Sequence, residues 1–305
     1  MKIERTALTL LTLLITASSA FADVTIIRSL KLKSQREKGT IQARCATQVH
    51  GRTARRETEV ITSGDLSEGF QYPVRTITWV SLDKNTVHLL EPTEPDLQKV
   101  SLNRWADYLA THHPAPDTGF RISQTWSRVI PEDETKVVRG QTCRKFTFEW
   151  RFETENPETY AKRQYGVRTT LWLTDLSPAL ALRLGEERAF QTDYKKRLGG
   201  MALEDLNAVT MQYAAKLVDL DKDTLFAAIS QGTAHLQRIA GYPMASQTEW
   251  FLVGFKQNKT LFTVASELET LSLKRLEETA FIPAKNYVPS YDEIDVTAQL
   301  MVKNR

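Results

Sequence analysis

The sequence is poor in the residue types that build covalent or metal-held sites. Its 305 residues include only 2 cysteines and 5 histidines, and the histidines are too dispersed to indicate a metal cluster. The chain carries 40 Lys and Arg against 37 Asp and Glu, a formal net charge of +3. Because nucleic-acid-binding proteins concentrate positive charge on one surface, this balance gives no reason to expect a nucleic-acid partner. We therefore predict no metal, no cofactor and no nucleic acid.

The sequence also lacks the short motifs by which common active sites are detected. It contains no G-x-S-x-G, P-loop, H-E-x-x-H or G-x-G-x-x-G pattern. Asp219, Asp221 and Asp223 resemble the start of a calcium loop. Thr224 stands where an EF-hand has Gly and Ser230 where it has Glu, so the calcium interpretation fails. We predict a non-enzymatic protein, and a hydrolase with an illegible catalytic set is the least favoured alternative.

The one extended apolar run lies at the N-terminus. Lys2 and Arg5 precede a run over residues 6–17, and Ala20 and Ala22 are small residues placed for a cut before Asp23. This three-part layout is typical of a secretory signal peptide over residues 1–22. A membrane anchor is the alternative, but the run is about a dozen residues and a span needs roughly 20. We expect a periplasmic or secreted protein that does not span a membrane.

The predicted export changes the interpretation of Cys45 and Cys143. In an oxidising compartment two lone cysteines are more often paired than free. We therefore predict a disulfide between them. The alternative is two separate thiols that are buried as small hydrophobic residues.

A two-residue alternation of apolar and polar side chains runs through much of the chain from residue 23 to 174. It is clearest at residues 143–152, where Phe146, Phe148, Trp150 and Phe152 alternate with polar residues. Such alternation predicts antiparallel strands with one face in water. We also predict a turn at residues 83–85, a break at the prolines 92 and 95, and a hairpin turn at residues 132–134.

From about residue 176 the spacing changes to that of helices. Leu203, Leu206, Val209, Tyr213 and Leu217 recur on one face of a predicted helix. Two strand candidates, 249–255 and 261–273, follow near the end of the chain. No fixed-length repeat or low-complexity linker divides the sequence. We predict one α+β domain over residues 23–305, a broad antiparallel sheet with a helical insertion at about 186–240.

Aromatic residues are the most informative feature of the predicted strands. Trp79, Trp126, Trp150 and Trp172 all fall on strand candidates. Composition alone favours a plain core beneath a sheet. The functional alternative is an apolar concavity, which a wide curved sheet leaves when its own helices do not fill it.

Four short motifs occur in an informative order along the chain. They are Gly140-Gln141-Thr142-Cys143, Trp172-Leu173-Thr174-Asp175-Leu176, Gly241-Tyr242-Pro243, and Phe281-Ile282-Pro283 before Tyr287. Together with the signal peptide they resemble a group of uncharacterised exported bacterial proteins. That group is similar in architecture to the LolA-like lipoprotein-carrier superfamily.

The resemblance implies a fold, a compartment and a hydrophobic cavity. The implied fold is a large antiparallel, incomplete β-barrel, or half-barrel, with inserted covering helices. We predict that its concave face binds a lipid, an acyl chain or a lipoprotein segment by burying apolar surface. The predicted wall residues are Trp126, Phe146, Phe148, Trp150 and Trp172. The alternative function is an envelope interaction or sensor protein whose helical cover binds a protein partner.

Overall fold

The computed structural model describes residues 23–66, 74–91, 94–105, 120–198, 241–283 and 289–290, with separate residues between 210 and 225. The described residues form one twelve-stranded sheet. The strands are β1 Val24–Ser34, β2 Gly39–His50, β3 Thr53–Gly64, β4 Arg75–Ser81, β5 Thr86–Glu91, β6 Glu94–Ser101, β7 Arg121–Val138, β8 Gln141–Glu155, β9 Lys162–Thr174, β10 Tyr242–Leu252, β11 Lys259–Ser272 and β12 Pro289–Ser290. A helix, α1, spans Pro178–Arg197, and a 3-10 helix spans Glu278–Phe281.

The sheet is open rather than closed into a barrel. Its order is β12-β6-β5-β4-β3-β2-β1-β11-β10-β9-β8-β7, so β12 and β7 are the two edges. Every pairing is antiparallel except that of β12 with β6. The predicted antiparallel sheet and its lack of closure are therefore confirmed. The predicted cover of helices over 186–240 lies largely outside the described residues.

Tight turns between neighbouring strands fix their register. Arg139 and Gly140 join β7 to β8, and both have positive φ, at 50° and 78°. A two-residue turn with positive φ at both positions matches the right-handed twist of a hairpin. Asn85 also has a positive φ of 52°, between β4 and β5. The turn predicted at residues 83–85 is confirmed.

Two predicted interruptions of the strands are wrong. The strands continue there because they accommodate local irregularity. Residues 132–134 do not form a hairpin turn: β7 continues through them, and its register with β8 shifts between Pro131 and Thr135. Such a shift is a β-bulge, which absorbs extra residues in one strand. The prolines near residue 92 do not end the sheet either, because β6 begins at Glu94 and includes Pro95. Pro95 stands near the start of its strand, where a missing N–H is tolerated.

Helix α1 begins eight residues before the predicted insertion boundary. Ser177 caps it, because its side-chain oxygen accepts a hydrogen bond from the Leu180 amide, and Pro178 occupies the first turn. The last turn carries three basic residues, which favour a helix C-terminus. Phe190 and Tyr194 of α1 pack with residues of β2 to β6 in one hydrophobic cluster.

The two faces of the sheet differ. We call the covered face the side on which α1 and helical residues between 213 and 225 pack against the strands. On β8 this side carries Phe148, Trp150 and Phe152, all almost fully buried. We call the open face the opposite side, which carries Glu149 and Arg151 of β8, Arg168 and Trp172 of β9, and Gln247 of β10.

Candidate ligand site on the covered face

An aromatic cluster occupies the covered face where β8, β9, β10 and β11 run side by side. The register places Trp150 beside Val167, Val167 beside Trp250, and Trp250 beside Phe262. Directly paired residues of an antiparallel sheet project from the same face. This row is therefore one continuous apolar surface across four strands.

The rings within this cluster are in direct contact. Trp150 and Phe152 stack with ring centres 4.4 Å apart. Phe152 also stacks on Tyr165 at 5.3 Å, and Trp250 stacks on Phe262 at 5.4 Å. Offset and edge contacts of this kind add about 0.5–1.5 kcal/mol per pair to the burial of the rings. We call these five residues the aromatic cluster: Trp150, Phe152, Tyr165, Trp250 and Phe262.

Helical residues lie against the aromatic cluster from the other side. Tyr213 meets Phe262 edge-on at 5.2 Å. The same hydrophobic cluster includes six further buried residues from this segment: Ala214, Ala215, Leu217, Val218, Leu220 and Leu225. The aromatic cluster is therefore packed between the strands that carry it and these helical residues.

One polar atom in this apolar region has no hydrogen-bond partner among the described residues. The indole Nε1 of Trp150 is buried, with the whole residue only 1% exposed, and no acceptor lies within reach. A buried donor left unpaired costs about 1–3 kcal/mol. Trp150 therefore places a hydrogen-bond donor inside an otherwise apolar environment.

Tyr213 ties the helical segment to the hairpin between β1 and β2. Its hydroxyl lies 2.6 Å from Ser34 Oγ and 3.1 Å from a carboxylate oxygen of Glu37. Burial raises the pKa of Tyr213 to about 12, and the Glu37 carboxylate contributes to the increase. The phenol consequently stays protonated, and it can donate its hydrogen bond throughout the physiological pH range.

The five predicted wall residues do not form one wall. Phe148 and Trp150 are buried on the covered face, in the same hydrophobic cluster. Phe146 lies on the same side of β8 but is only half-buried, with the Arg144 guanidinium 5.7 Å from its ring centre. Trp126 and Trp172 lie on the open face, because they pair with residues of β8 that alternate with Trp150.

Of the five residues of the aromatic cluster, only Trp150 is among the predicted wall residues. Phe152 was predicted on the same face of its strand, and Tyr165, Trp250 and Phe262 were not predicted as part of the site. Trp250 and Phe262 were on predicted strands, but nothing in either strand alone says which strand lies beside β9. The signal that joins them is the sheet order, in which β10 and β11 come back to β9 after the helical segment. That order is a long-range property, which local periodicity does not contain.

The open face carries a groove of a different chemical kind. Its volume is about 590 Å³, and it extends across β3, β2, β1, β11, β10 and β9. Lys31, Gln42 and Gln247 contribute to its lining, and Trp172 lies at one end with the Lys136 ammonium 4.1 Å from its ring centre. Ile61, Ala245 and Ala265 also line the groove, so it offers both polar and apolar contacts to a ligand.

The predicted disulfide is not formed. Cys45 and Cys143 are both free, buried thiols. They lie on β2 and β8, and four strands separate those two in the sheet. At about 4.8 Å per strand, the two positions are roughly 24 Å apart along the sheet, and a disulfide needs Cα atoms within about 7 Å. The alternative of two separate buried thiols is the one that the structure supports.

Two further properties concern the described part of the chain. None of its helices combines the length and hydropathy that a bilayer span requires. Nor do three His, Cys, Asp or Glu side chains come together, within these ranges, where they could hold a metal ion.

Comparison with solved structures gives a weak likeness. No protein-family model and no curated protein sequence matches the chain. The chain is similar to the crystal structure of a domain proposed to be an outer membrane lipoprotein-sorting protein of Vibrio parahaemolyticus. The likeness covers 90% of this chain and 95% of that one, at 9% identity and a TM-score of 0.24. At that TM-score the likeness carries no conclusion about function.

Proposed function

We propose that the protein is a non-enzymatic carrier of the cell envelope that binds an acyl chain ending in an ester or amide, as in a lipid or a lipoprotein. The chain would lie between the aromatic cluster and the helical residues that now pack on it. The single observation that carries this proposal is the unpaired indole N–H of Trp150 within the aromatic cluster.

The chemistry of the site selects this ligand class. The aromatic cluster offers an apolar surface to an alkyl chain, worth about 25 cal/mol per Å² buried. The N–H of Trp150 is a donor only, so it pairs with an acceptor such as a carbonyl oxygen. A ligand with both an alkyl chain and a carbonyl group would relieve the unpaired donor and bury its own apolar surface.

Binding requires the helical residues to move, because they fill the space in the present structure. Tyr213 is the polar contact that holds this segment to Ser34 and Glu37. Hydrogen bonds of this kind contribute about 1 kcal/mol each, and a bond to a charged group contributes more. An acyl chain would replace the apolar contacts of the helical residues with its own, so the net polar cost of displacement is the loss of the Tyr213 hydrogen bonds.

The predicted signal peptide supports the compartment. Cleavage before Asp23 would release the chain into the periplasm or the medium, where acylated molecules must cross water. The apolar site and the absence of legible catalytic motifs favour carriage over chemistry.

The test compares two ligands of equal chain length, a fatty-acid methyl ester and the corresponding alkane, each displacing a fluorescent fatty acid. We expect the wild type to bind the fluorescent probe at micromolar concentration, about −8 kcal/mol. It should prefer the ester to the alkane by about tenfold, because only the ester pairs with the indole N–H. In Trp150→Phe this preference should disappear, since the ring remains and the donor does not.

The matched control is Trp79→Phe. The Trp79 indole donates to the Ala280 carbonyl oxygen on the other face of the sheet, so its removal should leave the ester preference unchanged. A wild type that does not bind the probe, or an ester preference that survives in Trp150→Phe, would contradict the proposal.

A further inference from the structure

Three arginines converge on one buried carboxylate on the open face. Glu149 is 2% exposed, and its carboxylate lies 2.7 Å from Arg151, 3.3 Å from Arg128 and 3.5 Å from Arg168. The three side chains come from β8, β7 and β9, so the cluster spans three neighbouring strands at one edge of the sheet. We call these four residues the arginine cluster.

Aromatic rings also form cation–π contacts with the three guanidinium groups. Arg128 and Arg151 lie 5.3 Å and 5.8 Å from the ring centre of Trp126, which is 47% exposed. Arg168 lies 5.6 Å from the ring centre of Phe251. Cation–π contacts and ion pairs together restrain the three groups. Little conformational entropy is then lost when they bind a ligand.

The charges in the arginine cluster do not cancel. Burial raises the pKa of the Glu149 carboxyl, but the hydrogen bonds and charges of Arg151, Arg128 and Arg168 outweigh it, so its pKa lies below the usual range. Glu149 is therefore ionised at neutral pH. Glu249 adds a second negative charge, 4.0 Å from Arg168. Three positive charges thus face two negative ones.

The guanidiniums keep donors for another partner. Their side chains are between 42% and 51% exposed, while the carboxylate that orients them is buried beneath. Each guanidinium has five N–H donors in a planar fork that matches the oxygens of a phosphate. Other arginines of the sheet differ. Arg144, for instance, pairs with the exposed carboxylate of Asp175.

We propose that the arginine cluster, with Trp126 beside it, is a binding site for a phosphate group, either a lipid headgroup or a soluble phosphate compound. The site lies on the face opposite to the aromatic cluster, so it does not depend on the acyl-carrier proposal. Glu149 is a positioning residue in this site: it orients the arginines and does not touch the ligand.

The test titrates inorganic phosphate at low ionic strength, where surface charges are least screened, and follows binding by the width of the phosphorus NMR signal. We expect a dissociation constant of about 1 mM for the wild type. Arg128→Gln and Arg168→Gln should each weaken binding about tenfold, because each removes a charged, forked donor. Arg128→Lys keeps the charge without the fork, so it should lose about threefold and covers the case in which a Gln variant does not fold.

Arg144→Gln is the matched control. It removes an arginine that has similar exposure, one carboxylate partner and an aromatic ring beside it, and it should bind phosphate like the wild type. Equal losses in this control and in the cluster variants would overturn the proposal, and so would a wild type that does not bind phosphate.

Flotation with vesicles separates the two sources of the phosphate group. If the ligand is a headgroup, the wild type should float with phosphatidylglycerol vesicles and not with phosphatidylcholine vesicles, and Arg128→Gln should not float. Phosphate binding without flotation supports the site and identifies a soluble phosphate compound as its ligand.

Discussion

The two faces of the sheet are built from the same strands but stabilised by different interactions. On β8, Phe148, Trp150 and Phe152 alternate with Thr147, Glu149 and Arg151. The first set packs in a continuous apolar layer on the covered face. The second set forms hydrogen bonds and ion pairs on the open face. One strand thus contributes to two sites of opposite chemistry, because successive side chains point to opposite faces.

The two faces are expected to differ in what they contribute to stability and to recognition. Burial on the covered face removes apolar area from water, and that is the dominant favourable contribution to folding. Half-exposed ion pairs on the open face contribute little to stability, typically below about 1 kcal/mol each. Substitutions on the covered face should therefore change the free energy of unfolding, whereas those on the open face should mainly change what the surface binds.

The largest expected effect comes from the centre of the aromatic cluster. Phe152 stacks on Trp150 and Tyr165 and meets Trp250 edge-on. Phe152→Ala should lower the free energy of unfolding by about 3–5 kcal/mol, through lost burial and the cavity left behind. Chemical denaturation followed by circular dichroism measures this loss.

Trp126→Ala is the comparison on the open face. Trp126 is half-exposed, and its described ring contacts are with arginines, each worth about 0.5–1 kcal/mol at such a site. We expect a loss of about 1 kcal/mol. If the two substitutions cost the same, the assignment of stability to the covered face would be wrong.

An intermediate effect is expected from the buried carboxylate of the open face. Glu149→Gln removes the charge on which three arginines converge, and should cost about 1–3 kcal/mol at pH 7. The folded-state pKa of Glu149 is lowered. Its contribution is therefore complete above the unfolded-state pKa, about 4.3, and is lost as the pH falls through the lower folded-state value.

Denaturation at a series of pH values tests the sign of this effect. The difference in unfolding free energy between wild type and Glu149→Gln should be constant from pH 8 to about pH 5 and should shrink below that. Glu269→Gln is a control, because Glu269 is more exposed and, among the described residues, its ion pair is with Arg44 alone. A difference that grows on acidification would contradict the assigned direction of the pKa shift.

Local alternation predicted which residues of one strand share a face, and it did so correctly for Phe148, Trp150 and Phe152. It could not predict which faces of different strands coincide. Trp172 was grouped with Trp150 because both are aromatic residues on strands. The register of β8 with β9 places them on opposite sides. Register depends on turn geometry and bulges, such as the shift between Pro131 and Thr135, and these leave little trace in a sequence.

The arginine cluster could not be predicted from the sequence either. Arg128, Glu149 and Arg168 are separated by about twenty residues each, and a lone charged residue on a strand is usually a solvated one. Only the pairing of three strands brings them together. The same limit explains the disulfide error, because Cys45 and Cys143 were judged by compartment and not by strand order.

The smallest expected effect concerns those two cysteines, and it tests whether the sheet needs a covalent link. Cys45 and Cys143 are free and buried, and burial raises the pKa of the Cys143 thiol. A thiol reagent should therefore react slowly with the folded protein and should titrate two thiols after denaturation. Addition of a reductant should leave the melting temperature unchanged, because there is no bridge to break. A melting temperature that falls on reduction, with no thiols titratable before it, would restore the disulfide and would require β2 and β8 to approach each other in a sheet of different order.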